Sequence, residues 1–259
     1  GIDVVHFQFP VYNFTKTPYI ATVHNNAGNV ELNDNSVFVS ANHAARYGSS
    51  VFVYNGIDTN DYLKPDLSAR RSYVHFLAKA AWRLKNVKGA IDVAIQSGNR
   101  LVVLGGTRLN IKMGVRFTAD LRVRFKGMVN DTVKSQVLNG SKALIFPVLW
   151  HEPFGIALIE SLYFGCPVFG TPYGSLPELV PPEVGFLSGS KSALAESLKD
   201  VARFDIKICY DYAADNFNIA KMAGQYLMLY ERVLNGEQLN KTKPAIIAME
   251  EPRYLHLNN

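Results

Sequence analysis

The stretch Leu149–Pro172 reads LWHEPFGIALIESLYFGCPVFGTP. Ahead of it, Ala143–Phe146 is a short, wholly apolar run that stops at Pro147, and inside it Val168–Gly170 is another. Short runs of this kind are what strands buried on both faces look like, and a helix between two of them is the crossover of a parallel sheet. The segment Phe154–Phe164 supplies that helix. Pro153 suits its first turn, where a missing N–H costs nothing, and Gly165 stands where helices commonly end. His151 and Glu152 then fall in the loop at the carboxyl end of a strand, the edge at which open α/β sheets bind ligands.

The same alternation runs outward in both directions. Strand candidates are Val4–Phe9, Tyr19–Val23, Val37–Ser40, Val51–Tyr54, Val74–Leu77, Leu101–Leu104 and Val123–Phe125. Helical patterns cover Asn86–Gln96, Thr132–Leu138 and a final amphipathic segment, Asp215–Leu234. Strands alternating with helices predict an α/β protein of doubly wound, Rossmann-like parallel sheets. Asn55-Gly56 marks a turn and Lys64-Pro65-Asp66 a polar connector. The expected units are therefore residues 1–62, residues 63–234 and a tail, 235–259, that is extended or docked.

A chain that is 48% hydrophobic and 19% charged has the composition of a globular domain, not of a disordered one. Two cysteines, Cys166 and Cys209, are too few for a disulfide framework and point to a reducing, cytoplasmic setting. No apolar run approaches the ~18 residues of a membrane helix, and the first residues lack a signal-peptide pattern. The formal charge is +5, concentrated where Arg108, Lys112, Arg116, Arg122, Arg124 and Lys126 face only Asp120. Such a surface attracts phosphate or stays simply solvated. Nucleic acid is not an expected partner, because neither zinc-ligand spacing nor a basic-aromatic motif is present.

Two carboxylates, Glu152 and Glu160, bracket the start of the helix. Eight helical residues rise about 12 Å, so the pair cannot grip one small group. It suits the two ends of a long ligand whose anionic middle meets the N–H groups of Phe154, Gly155 and Ile156. A nucleoside diphosphate sugar has that length. Taken singly, Glu160 reads equally well as a solvated helix carboxylate and Glu152 as a partner of the helix dipole.

At this point the chain resembles a known family. Glu-Pro-Phe-Gly-Ile-Ala-Leu-Ile-Glu, residues 152–160, is similar to the E-x7-E signature of retaining GT-B glycosyltransferases, those of glycosyltransferase family 4 in particular. Landmarks in the same order surround it: Ile2–His6, Ala21–His24, Phe38–Ser40, Asn55–Asp58, Lys85–Val87, Gly105-Gly106, Phe125–Val129, Gly165–Val168 and Gly174–Glu178. The resemblance implies that Glu152 contacts the hydroxyls of the donor sugar and Glu160 those of the ribose. It implies that His24 lies beside the anomeric centre. The family's phosphate-binding arginine and lysine map to Lys79 and Lys85, with Arg83 as the alternative register for the first. Backbone near Gly127, Met128 and Val129 is implied to select the base.

No two aspartates stand two residues apart, so the metal-holding D-x-D of other sugar transferases is missing and metal-independent transfer is expected. The donor is a substrate, and no cofactor is expected. The implied acceptor is a glycan or a lipid-linked one, with peripheral membrane contact through Arg70, Arg71 and the basic stretch. The resemblance also implies a longer first domain, so residues 1–62 are expected to form a truncated one. The competing readings are a nucleotide-sugar-binding module or fragment without catalysis and, third, a nucleotide-sugar 2-epimerase.

Overall fold

A computed structural model describes residues 1–10, 16–28, 30–111, 115–247 and 255–259. Lys112 of the basic stretch and Glu250-Glu251-Pro252 of the tail lie outside the described residues. The chain opens with a three-stranded sheet, β1 (Val5–Phe7), β2 (Tyr19–Val23) and β3 (Ser36–Phe38), followed by α1 (Ala41–Arg46). Its strands are parallel. Val51–Tyr54, expected as a strand, pairs with β3 only through one isolated bridge, Phe38 to Phe52.

The larger sheet takes β4 (Tyr73–Leu77), β5 (Leu101–Leu104), β8 (Val123–Phe125), β9 (Ser141–Phe146), β10 (Val168–Gly170) and β11 (Gly185–Leu187) in the order β11-β10-β9-β4-β5-β8. All of its pairings are parallel. A small antiparallel hairpin, β6 (Leu109–Asn110) and β7 (Arg116–Phe117), stands beside it. Helices α2 (Val87–Gln96) and α6 (Lys191–Lys199) cover one face. Helices α3 (Asp131–Asn139), α4 (Ile156–Tyr163) and α7 (Ile206–Asn216) cover the other, and α5 (Leu176–Leu179) follows β10. Along β9 the side chains alternate between the two, Ala143 and Ile145 towards α2 and α6, Leu144 and Phe146 towards α4. That is the period-two signature of a strand covered on both faces.

The expected final helix, Asp215–Leu234, starts four residues late, and its first two residues belong to the end of the helix before it. Helix α7 ends at Asn216, and α8 (Ile219–Leu234) begins after Asn218, whose side chain accepts from the Lys221 N–H. The break lets the chain change units. Tyr226 and Val233 of α8 pack on Ile20, Val37 and Val53 of the first sheet, not on the second. The hydroxyl of Tyr226 lies 2.9 Å from the Thr22 hydroxyl, and that of Tyr230 lies 2.7 Å from His6 Nδ1. The tail is docked. Asn240 bonds the carbonyls of Asp34 and Ser36, Ile247 N–H donates to Arg46, and Asn258 pairs with the Gly189–Lys191 segment.

The basic stretch is only partly a surface. Arg108 donates to the carbonyls of Thr118, Asp120 and Val123, and Arg116 stacks on Phe125 while bonding Thr118. These two cations brace the hairpin. Arg70 is exposed, but Arg71, expected with it at a membrane surface, donates inward to Ser141 and Phe164 carbonyls. Among the described residues no helix is long and apolar enough to cross a membrane.

Candidate active site

In the large sheet the chain runs outward from β4 through β5 to β8, then returns to β9 on the other side of β4. Strand order therefore reverses between β4 and β9, and the carboxyl ends of those two strands splay apart into a crevice. A cleft of about 370 Å³ sits there. From the β4 end it is lined by Leu77, Ala78 and Lys79, and from the β9 end by Phe146, Trp150 and Glu152. The start of α4 forms its floor through Phe154, Gly155, Ile156, Ala157 and Glu160, and His24 and Asn55 close it from the first unit.

Helix α4 starts two residues later than expected, so Pro153 lies ahead of the first turn instead of within it. Gly155 is the cap residue, with φ 83°, a left-handed conformation that side chains with a Cβ disfavour. It offers no side-chain acceptor, so the first N–H groups of α4 face the cleft uncapped. Their partial positive charge makes this floor an anion site.

Glu152, 6% exposed, is fixed from both sides. Its Oε2 accepts from Lys85 Nζ at 2.5 Å and from the Trp150 indole N–H at 2.8 Å. Its carbonyl accepts from the Ser175 N–H, and Gly174 packs so closely on its backbone that a Cβ there has no room. The segment Gly174–Glu178 is thus the back wall of the site. Lys85 is itself sheltered over the rings of Phe146 and Trp150, at 5.3 and 5.0 Å. Lys79 is exposed, its ammonium 5.3 Å from the Trp82 ring.

Glu160, 5% exposed, stands at the far end of the cleft. Its Oε1 accepts from the Tyr62 hydroxyl at 2.7 Å and from Lys134 Nζ at 2.5 Å. Burial lowers the Lys134 pKa, but Glu160 and Asp131 more than offset this and the net shift is upward. Burial, reinforced by Glu160, raises that of Tyr62. Both donors therefore keep their protons at neutral pH.

The first unit is pinned against this wall. Ser40 Oγ caps α1 and also donates to the Pro153 carbonyl at 2.6 Å. The Asn26 side-chain amide donates to the His151 carbonyl at 2.9 Å, and Arg46 holds Asn26 in turn. Burial raises the Glu178 pKa, and its carboxylate sits at the N-terminus of α1 within reach of Asn42 N–H and Tyr54 OH. His24 is exposed at the cleft mouth, donating from Nε2 to Gln8 Oε1 at 2.7 Å; desolvation by the surrounding protein lowers its pKa from 6.5.

Of the residues expected from sequence, the cleft brings together His24, Lys79, Lys85, Glu152, Phe154, Gly155, Ile156 and Glu160. It leaves out four. Arg83 opens a 3-10 turn and lines neighbouring clefts with Asn86, Lys88 and Leu149. Gly127 gives its N–H to Gly106 and its carbonyl to Gly105, bracing the β5 loop. Met128 is 82% exposed, and Val129 packs against the cluster of Val102, Leu104 and Val137. Neither lines the cleft as described. Trp150, Tyr62, Lys134 and Asn26 had not been singled out. Tyr62, Lys134 and Asn26 take their roles from partners distant in the chain, whereas Trp150 donates to Glu152 two residues on.

The fold has known counterparts. The chain resembles the crystal structure of AviGT4, a glycosyltransferase involved in avilamycin A biosynthesis, with TM-score 0.73, 20% identity, and 92% of this chain and 75% of that one covered. It also resembles sucrose-phosphate synthase from Thermosynechococcus elongatus, with TM-score 0.69, 17% identity and coverage of 86% and 70%. A third is Anabaena Alr3699/HepE solved with UDP and glucose, with TM-score 0.65, 15% identity and coverage of 83% and 72%. These likenesses establish the GT-B type of fold, Rossmann-like parallel sheets facing one cleft. Among curated proteins no sequence match was found. The family model "Glycosyl transferases group 1" matches residues 66–205, more than half of the 259, and the chain belongs to that family of glycosyltransferases.

Proposed function

We propose that this glycosyltransferase moves a hexose, with retention of configuration, from a nucleoside diphosphate sugar to a glycan or lipid-linked acceptor, in the manner of family 4. One observation carries the reading: Glu152 and Glu160 line a single cleft with the uncapped start of α4 between them. In this reading the hexose lies at Glu152 beside His24, the diphosphate over the α4 N–H groups with Lys79 and Lys85, and the ribose at Glu160. Negative charge growing on the leaving diphosphate is stabilised by those two lysines and the helix terminus. Transfer without a metal is part of this reading, with the two lysines and the helix terminus carrying the charge that a metal would otherwise neutralise. Lys85 must exchange part of its bond to Glu152 for phosphate as the donor arrives, leaving Glu152 to accept from sugar hydroxyls.

The test is calorimetric titration with UDP-, GDP- and ADP-glucose in the presence of EDTA. Binding of one of them, abolished in Glu160→Ala, supports the donor site, and an NMR assignment of the product anomer then tests retention. Failure of all three to bind sinks it. A binding module without catalysis is the second reading, favoured by a lysine at position 79, which lacks the paired donors of arginine. It predicts donor binding with neither transfer nor hydrolysis.

A further inference from the structure

Glu160 is tied to two side chains that the site does not otherwise need. Lys134 comes from the first half of α3, and Tyr62 from the end of the first unit, just past the 3-10 turn Thr59–Asp61. Both donate to the same carboxylate oxygen, Oε1, and among the described residues no bond reaches Oε2. Lys134 is 14% exposed and is held by Asp131 at 2.6 Å, with the Tyr62 ring 5.0 Å beneath its ammonium. The Tyr62 ring in turn lies against Tyr163 and Phe164 at the end of α4. Three segments thus converge to lock one oxygen of a cleft-lining carboxylate and leave the other open.

A carboxylate on a free side chain rotates, and each ligand hydrogen bond it makes must then overcome the entropy of stopping it. Fixing Oε1 from two directions removes that cost before the ligand arrives. A free carboxylate oxygen accepts from hydroxyls and repels phosphate, so the fixed Oε2 favours a neutral diol over the anionic part of the same ligand.

We propose that Lys134 and Tyr62 are positioning residues that lock Glu160 through Oε1 and so set the preference of this cleft for ribonucleotides over deoxyribonucleotides. The inference rests on the nucleotide-sugar reading above. An ion pair that merely fastened α3 to α4 would serve stability without touching that preference.

The experiment measures calorimetric affinities for UDP, GDP and ADP, then for the 2′-deoxy and 3′-deoxy forms of the tightest binder. Wild type, Lys134→Met, Tyr62→Phe and Lys134→Arg are compared, each checked for an unchanged circular dichroism spectrum. Wild type is expected to prefer the ribonucleotide by about tenfold, the worth of one hydrogen bond to a charged group. Lys134→Met and Tyr62→Phe are each expected to shrink that ratio to about threefold or less while the deoxy affinity changes by less than about twofold. Lys134→Arg, which keeps a cation in reach, is expected to restore most of it. A ratio that survives both substitutions, or ribo and deoxy affinities that fall together, overturns the positioning role. A wild type that binds diphosphates without telling ribose from deoxyribose overturns it as well. If none of the three diphosphates binds wild type, the nucleotide-sugar reading itself falls and takes this one with it.

Discussion

Trp150 shows how a residue outside the E-x7-E spacing can govern it. Its indole N–H and the Lys85 ammonium share Oε2 of Glu152, while its ring shelters that same lysine. Trp150→Phe keeps the ring and removes only the N–H. On the reading in which Glu152 meets the sugar, turnover of the nucleotide sugar is expected to fall about tenfold, as for a lost hydrogen bond to a charged group. Affinity for the bare diphosphate is expected to hold within about twofold, because the α4 terminus and both lysines are untouched. Steady-state rates and diphosphate titrations of the variant check both halves, and a diphosphate affinity that falls with the rate refutes the division of labour.

Strand β4 carries a test of its own at the level of the element. His75, fully buried, bonds the hydroxyls of Ser141 on β9 and Ser161 on α4, so the strand is stitched to both neighbours by a neutral imidazole. Burial, with Arg71 adding to it, lowers its pKa to about 3, and burial beside Arg46 does the same for His43 in α1. Both are protonated more readily in the unfolded chain than in the folded one. Stability is therefore complete above the ordinary histidine value of about 6.5 and is lost as pH falls from there towards 3, by about 1.4 kcal/mol per pH unit for each. Urea midpoints at pH 7 and pH 5 check this, and a flat profile across that window refutes it.

The elements also show what was legible from the chain. β2, β5 and β10 carry the expected bounds because each is a short, mostly apolar buried run, and β8 carries them as an edge strand whose Val123 is buried while Arg124 is exposed. β11 escaped, since Gly185–Leu187 is three residues long and opens with a glycine. The break between α7 and α8 escaped because neither proline nor glycine marks it, although Asn218 was readable as a helix cap. In the cleft, residues adjacent to strand ends could be placed from sequence. Lys134 and Tyr62 could not, because a lysine on a helix face and a tyrosine just past a 3-10 turn acquire meaning only from Glu160.

At the scale of the molecule, the two crossings between units lie side by side. Ile57 N–H donates to the Phe217 carbonyl, Ile57 bridges to Asn218, and Gly56 meets the Asn218 backbone so closely that no Cβ fits. Phe217, 4% exposed, packs there against Tyr54 from one unit and Phe154 and Tyr212 from the other. Its cluster also holds Val39 and Ile57 from the first unit with the apolar side of α4. Phe217→Ala is expected to destabilise the protein by about 3–5 kcal/mol through the cavity it leaves. It is also expected to lower a single transition for both units in denaturant unfolding followed by tryptophan fluorescence and circular dichroism. Two transitions that separate, only one of them shifted, would refute the shared core.

Because α8 returns to the first sheet, the chain that lies between the two crossings is enclosed within the order of synthesis. β1 to β3 are translated before α8, and Ile20, Val37 and Val53 meet Tyr226 and Val233 only once the chain has been made through α8. All six strands of the larger sheet have been made by then, so the smaller sheet, though earlier in the chain, receives its covering helix later. An interval of translation thus passes with one face of a three-stranded sheet open, and during it that face is the nascent chain's point of exposure to chaperones and to aggregation.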